Sequence, residues 1–324
     1  MNIGWLRVVL CACVAFAAGA CDEEEGPALF IETEALPGGR VALPYQAQLD
    51  AVDAAGAVTW SIASGTLPPG LTLAADGAIG GEPSRSGEFA FTVRAADGRD
   101  VDEVELAIDV PPVVLMSGFE PFAEYATNPS IDAITPLHEQ IVAGLDVRTI
   151  ELDVSWSTAW VDLRAEIERL TADVVIGTGM SGTDAMRFET LGRNSAWGTD
   201  NYDEYKDFEP VVDGGPETTP ATMPNAEMAA AMEQGGYATM ISDNAGDYLC
   251  NFVFYNLSLY AADDAAREIT IGFVHVPPAP YEGTFTVADI TAAHGLGLEA
   301  LAAWLESGQA ADEASPTEHG MPVY

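Results

Sequence analysis

The chain has 324 residues, 48% hydrophobic and 19% charged, enough to bury a sizeable core and to exclude bulk disorder. Twelve basic residues, with Lys206 the single lysine, stand against 51 acids, a formal charge of −39. Such a surface repels phosphate backbones and anionic lipid heads, which argues against nucleic-acid binding and against adsorption to a membrane surface.

Residues Met1 to Ala20 form a short segment with Arg7, an apolar run from Val8 to Ala17, and small residues before Cys21. That is the layout of a secretory signal over 1–20, too short to span a bilayer comfortably. Ala18-Gly19-Ala20-Cys21 resembles a bacterial lipobox, which implies that Cys21 is lipidated. The expected location is therefore exported and lipid-anchored in the bacterial cell envelope, with the lipid as the chain's only membrane contact. The acidic run Asp22 to Glu25 reads as part of a solvated tether over 22–27. Of the four cysteines, Cys11 and Cys13 leave with the signal and Cys21 is acylated, so Cys250 alone stays in the folded body. A lone exported cysteine forms no internal disulfide and is either a buried small hydrophobe or a reactive thiol.

Residues 28–110 show period-two runs bounded by Pro, Gly and Asp turns. Val58 to Ile62, Phe89-Phe91-Val93 and Val104-Leu106-Ile108-Val110 are the clearest strands, and together they predict a small antiparallel sandwich. The stretch from Leu67-Pro68-Pro69-Gly70-Leu71 through Asp76-Gly77 to Val93 resembles the immunoglobulin-like repeats of bacterial surface proteins. The segment carries no His and no Cys, so a spacer role is expected for it.

After Pro111-Pro112 the pattern changes. Strands are predicted at Val113 to Met116, Val147 to Val154, Asp173 to Gly177, Ala238 to Ser242 and Ile269 to Val276. Helices are predicted over Pro129 to Ala143, Ala159 to Leu170, Ala226 to Met232, Tyr248 to Tyr260 and Ala288 to Leu305. The alternation implies an open α/β/α sheet over 113–310, followed by a tail over 311–324. The predicted chain is thus multidomain, an all-β immunoglobulin-like sandwich followed by an α/β domain.

In such sheets, sites gather where strands end. Glu189 follows the Val174 strand, Cys250 stands where a helix starts, and His275 ends the last strand. A thiolate attacks carbonyl carbon, and a helix N-terminus with an adjacent imidazolium lowers a cysteine's pKa. Histidine returns a proton to the leaving amine, and a carboxylate fixes its tautomer. His138, His294 and His319 have no ligand-like spacing with one another or with Cys250, so neither a metal nor a cofactor is expected.

The strings around these residues resemble the pyroglutamyl peptidase I family of cysteine peptidases, from about Val113 to Leu305. They are Gly118-Phe119-Glu120-Pro121-Phe122, Asn128-Pro129-Ser130, Asp213-Gly214-Gly215-Pro216, Ala245-Gly246 with Cys250-Asn251-Phe252, and Val274-His275-Val276-Pro277. The resemblance implies a Cys250–His275–Glu189 triad that removes N-terminal pyroglutamate from peptides through a thioester. It also implies that Phe119 and Phe122 bracket the lactam ring, with Asn128, Met180 and Leu249 beside the same pocket. Many members carry Gln where Met180 stands, and Ser195 to Glu209 departs from the bacterial pattern, which bears on specificity. Two other readings stay open at this point. One is a cysteine hydrolase of a related amide with an altered pocket. The other is a surface-displayed binding protein whose enzyme domain is vestigial.

Overall fold

The computed structural model describes residues 28–263 and 268–308. The signal, Cys21, the 22–27 tether and the 311–324 tail lie outside the described residues.

The N-terminal segment folds into two facing three-stranded antiparallel sheets plus a short two-stranded one. One sheet joins Thr59–Gly65, Gly87–Ala96 and Val101–Val110, and the other joins Tyr45–Gln48, Ala78–Gly81 and Leu71–Leu73. Alternation places Phe89, Phe91, Val93 and Ala95 inward on one strand and Leu106, Ile108 and Val110 inward on its partner. Gly77 is required where it stands. Its φ is +91°, and a Cβ there would lie 2.7 Å from the buried Trp60 ring.

Residues from Val113 onward build a seven-stranded sheet. Its strands are β1 (Val113–Phe119), β2 (Ile141–Val142), β3 (Leu145–Leu152), β4 (Val174–Met180), β5 (Met186–Glu189), β6 (Thr239–Ser242) and β7 (Thr270–Val276). The spatial order is β2-β3-β1-β4-β7-β5-β6. Strands β3, β1, β4 and β7 run parallel, whereas β5 pairs antiparallel with β7. The helices are α1 (Pro129–Asp132), α2 (Ala159–Leu170), α3 (Asn225–Gln234), α4 (Leu249–Asp263) and α5 (Val287–Glu306). Val113, Leu115, Val175, Ile271 and Phe273 pack with α2 and α4 on one face. Val114, Met116, Val174, Ile176 and Val274 pack with α3 and α5 on the other. Strands buried on both faces read as continuous apolar runs, which is why β1, β4 and β7 stood out in the sequence.

The predicted helix over Pro129 to Ala143 does not form. Helix α1 stops at Asp132, a 3-10 turn spans Thr135–Leu137, and the chain then enters β2. Pro136 lies inside the apolar period, where a ring without an N–H cannot donate to the preceding turn and so cannot continue the α-helix. Two small antiparallel pairs were absent from the sequence reading, Leu191–Arg193 with Thr218–Pro220 and, within their connection, Ala196–Thr199 with Tyr205–Glu209. The second holds Trp197 and Phe208 stacked and exposed, with ring centroids 5.7 Å apart.

The sandwich is fixed to the sheet. Fully buried Asp146 accepts from Arg148 Nε at 2.8 Å and from Arg40 Nε of the sandwich at 3.0 Å. Arg148 also donates to the Val41 carbonyl, Ser86 Oγ donates to Asp173 at 2.9 Å, and Thr171 Oγ1 donates to the Ser84 carbonyl at 2.8 Å. Apolar side chains of the sandwich and of the α2/α4 face form one continuous core.

Candidate active site

Register decides which side chains meet. In the antiparallel β5–β7 pair, Arg187 stands opposite His275 and Glu189 stands opposite Phe273. Residues two apart share a face, so Arg187, Glu189, Phe273 and His275 all point toward α4. On the other side of β7, Gly179 of β4 is level with His275 and Gly177 with Phe273. A Cβ on Gly177 would lie 2.4 Å from the Phe273 ring, and one on Gly179 would lie 2.5 Å from Cys250 Sγ. The two glycines thus make the space that the aromatic ring and the thiol occupy.

Cys250 is the second residue of α4. The first N–H groups of a helix have no acceptor within it, so they are available beside the thiol. Glu189 is fully buried at the end of β5, and its Oε1 lies 2.8 Å from His275 Nδ1. Arg187 Nε donates to the same Oε1 at 2.6 Å, and Arg187 Nη2 lies 3.2 Å from His275 Nδ1. The Phe273 ring meets the imidazole edge-on, with centroids 5.0 Å apart.

Electrostatics follow from burial. Burial pushes the Cys250 thiol up to about 12, and the Glu189 carboxylate adds to the shift. This reverses the expectation of a thiol acidified by a helix terminus, because desolvation of the charged form outweighs the dipole here. Burial pushes the His275 pKa down, against the pull of the Glu189 hydrogen bond. For Glu189, desolvation pushes up, but the His275 hydrogen bond and charge, with help from Arg187, hold the carboxyl below its ordinary value. The resting site is a neutral thiol, a neutral imidazole and a carboxylate.

A cavity of about 330 Å³ opens beside these groups. Phe119, Phe122, Asn128, Met180 and Leu249, the residues singled out in the sequence, all line it with Cys250 and His275, and Glu189 stands behind the imidazole. Asn128 caps α1, accepting from Ser130 N at 3.1 Å, and its Nδ2 donates to the Glu120 carbonyl at 3.0 Å. Its amide is therefore committed within the wall. Ser130 Oγ in turn accepts from Phe119 N at 3.0 Å, which fixes the end of β1. The sequence reading missed Val154, Arg187, Asp247 and Tyr248, which also line the cavity. Arg187 could not be found locally, since the strand that carries it was not predicted and its meeting with His275 comes from strand pairing. A second concavity, on the sandwich between Gln46–Gln48 and Ala78–Gly80, is lined by no titratable or nucleophilic side chain.

Comparison with known proteins agrees with this geometry. Residues 113–305, more than half of the chain, match the family model described as "Pyroglutamyl peptidase", and residues 30–110 match one described as "Putative Ig domain". The pyrrolidone-carboxylate peptidase of Erwinia tasmaniensis is 33% identical over 170 residues, covering 52% of this chain and 78% of that one. That of Pseudomonas fluorescens is 34% identical over 201 residues, covering 59% of this chain and 92% of that one. Among solved structures, pyrrolidone carboxyl peptidase from Thermococcus litoralis superposes with a TM-score of 0.58 at 22% identity, over 65% of this chain and all of that one. Pyroglutamyl peptidase I from Bacillus amyloliquefaciens superposes at 0.57 and 22% identity, over 59% of this chain and 97% of that one. At such identities the superpositions speak for the fold, while the match over 113–305 speaks for descent. From its first sheet strand to its last helix, this chain belongs to the pyroglutamyl peptidase family.

Proposed function

We propose that this protein is a cysteine peptidase that removes N-terminal pyroglutamate from peptides. The observation that carries the reading is the convergence of Cys250 and the Glu189-bound His275 on an aromatic-lined cavity, in a chain of this family. Starting from neutral partners, His275 Nε2 takes the Cys250 proton as Sγ attacks the pyroglutamyl carbonyl carbon. The tetrahedral oxyanion lies within reach of the free N–H groups at the start of α4. His275 then gives its proton to the departing amine, the C–N bond breaks, and a thioester remains. Water, losing a proton to the same nitrogen, cleaves the thioester and restores the thiol as pyroglutamate leaves. Glu189 accepts from Nδ1–H throughout and stabilises the imidazolium that forms in each half.

The pocket explains the preference for a lactam. Phe119 and Phe122 present apolar faces, and a pyroglutamyl ring enters them with one donor, one acceptor and no charge. A free α-ammonium group would lose its hydration against these rings, a cost that the uncharged lactam does not meet. The test is release of aminomethylcoumarin from its pyroglutamyl conjugate by the wild type and by Cys250→Ala. Turnover by the wild type alone supports the reading, and no turnover by soluble wild-type protein overturns it. Turnover of a proline or glutamate conjugate instead would point to an altered pocket around Met180.

We propose further that the chain is exported and anchored in the cell envelope through lipid on Cys21, a reading supported by the sequence from Met1 to Cys21. Radiolabelled palmitate is expected to enter the wild type and not Cys21→Ser. Equal labelling of the two removes the claim.

A further inference from the structure

Arg187 belongs to no part of the chemistry described above, yet it stands at the centre of the charged cluster. It is level with His275 across the β5–β7 pair, and its Nε and the imidazole Nδ1 share one carboxylate oxygen, Glu189 Oε1, at 2.6 and 2.8 Å. Glu189 Oε2 is buried with no partner at hydrogen-bond distance, the Ser242 hydroxyl being the one further group that acts on the carboxylate, so the two closest contacts both fall on the shared oxygen. Arg187 Nη2 completes the triangle 3.2 Å from Nδ1.

Donor and acceptor counting fixes the proton. Arginine carries donors only and stays charged, and an ionised carboxylate only accepts. If Nδ1 accepted from Arg187, its lone pair would face the Glu189 oxygen at 2.8 Å, two acceptors in contact. A proton on Nδ1 satisfies that contact, and the guanidinium is then a fixed positive charge beside the ring. Adding a second proton at Nε2 would place two cations on one buried oxygen.

We propose that Arg187 is a positioning residue that keeps His275 neutral, with its proton on Nδ1 and Nε2 open to the Cys250 proton. The other titratable groups near His275 are Glu189 from β5, Cys250 from α4, and Asp247 and Tyr248 from the loop before α4. Strand β4 offers Gly179 and Met180, which carry no charge. Arg187 is the one cation in this set. Without it, the Glu189 carboxylate acts on His275 unopposed, and the imidazolium forms at higher pH.

The kinetic arm of the test rests on the peptidase reading, and a spectroscopic arm does not. In the full-length protein, the pH profile of kcat/KM on the pyroglutamyl conjugate is compared for wild type, Arg187→Gln, Arg187→Ser and Arg187→Lys. The acid limb is expected to move up by about one pH unit in the two neutral variants, a roughly tenfold loss on the acid side. Arg187→Lys should bring the limb back toward the wild-type position. A limb that stays in place, whether activity is unchanged or lowered evenly at all pH, overturns the proposal. In a Cys250→Ala background, imidazole titration by NMR should show His275 taking its proton at higher pH when Arg187→Gln is added. Equal titration overturns the proposal whatever the substrate. A shifted titration in a protein whose wild type leaves the pyroglutamyl conjugate intact upholds the Arg187 assignment and overturns the peptidase reading instead.

Discussion

Gly179 and Cys250 are in contact across the top of the sheet, with the thiol resting where a side chain on residue 179 would stand. A Cβ there would lie 2.5 Å from Sγ and 3.1 Å from the Phe273 ring, so the thiol itself is what must move. Gly179→Ala is therefore expected to lower kcat at least tenfold, since displacements of about 1 Å at a reacting atom cost up to about 10²-fold. Thermal unfolding should change little by comparison. Wild-type kcat in Gly179→Ala would show that the thiol's position is not set by this strand.

The raised thiol pKa makes a prediction about alkylation. With Cys250 pushed up to about 12, its reaction with iodoacetamide should climb steadily from pH 6 to pH 9 without a plateau. The rate is measured as thiol loss in protein lacking residues 1–21, with Cys250→Ala as the blank. A plateau near neutral pH would mean a preformed thiolate and would refute the neutral resting state.

Glu189→Gln keeps the size of the side chain and removes its charge. His275 loses the anion that stabilises its protonated form, so kcat should fall by about 10²-fold or more, with KM changed far less. Steady-state kinetics at pH 7 and pH 8 check this. A variant as fast as the wild type would deny Glu189 its role behind the imidazole.

Asp146 tests the junction with the sandwich. Its carboxyl is held below the ordinary value because Arg148 and Arg40 outweigh the cost of burial. A depressed folded pKa gives stability that is present above the unfolded value and lost as pH falls through the folded one. Asp146→Asn leaves Arg148 buried without its counterion and should cost about 3 kcal/mol at pH 7. The gap to wild type should narrow as pH falls below the ordinary carboxylate range and Asp146 takes up its proton. Urea denaturation across a descending pH series measures it, and a constant gap would assign the loss to packing.

Much of this was readable beforehand, and the exceptions share a cause. Strands β1, β4 and β7 and helices α2, α4 and α5 declared themselves because burial on one or both faces writes a local period into the sequence. The site was readable through its strings, with Cys250 at a helix start and His275 near a strand end. Arg187 was not, because its meeting with His275 depends on an antiparallel pairing between strands whose facing residues lie 88 positions apart. The direction of the Cys250 shift was missed for a similar reason. Helix position is local and legible, whereas desolvation is made by every element that closes over the thiol. Pro136 is a different case, since the breaker was visible and the apolar period around it was given too much weight.

The junction also sets a direction. Asp146 and Asp173 meet the sandwich at the N-terminal ends of β3 and β4, whereas Phe119, Met180 and His275 face the cavity at or near the C-terminal ends of β1, β4 and β7. Ile31 donates to Asp102 at the far end of the strand Val101–Val110, so Ile31 lies about 25 Å from the junction. A seven-residue strand adds about 20 Å more before the mouth is reached. The sandwich and the cavity thus occupy opposite ends of the sheet, and a substrate reaches Cys250 without passing the sandwich.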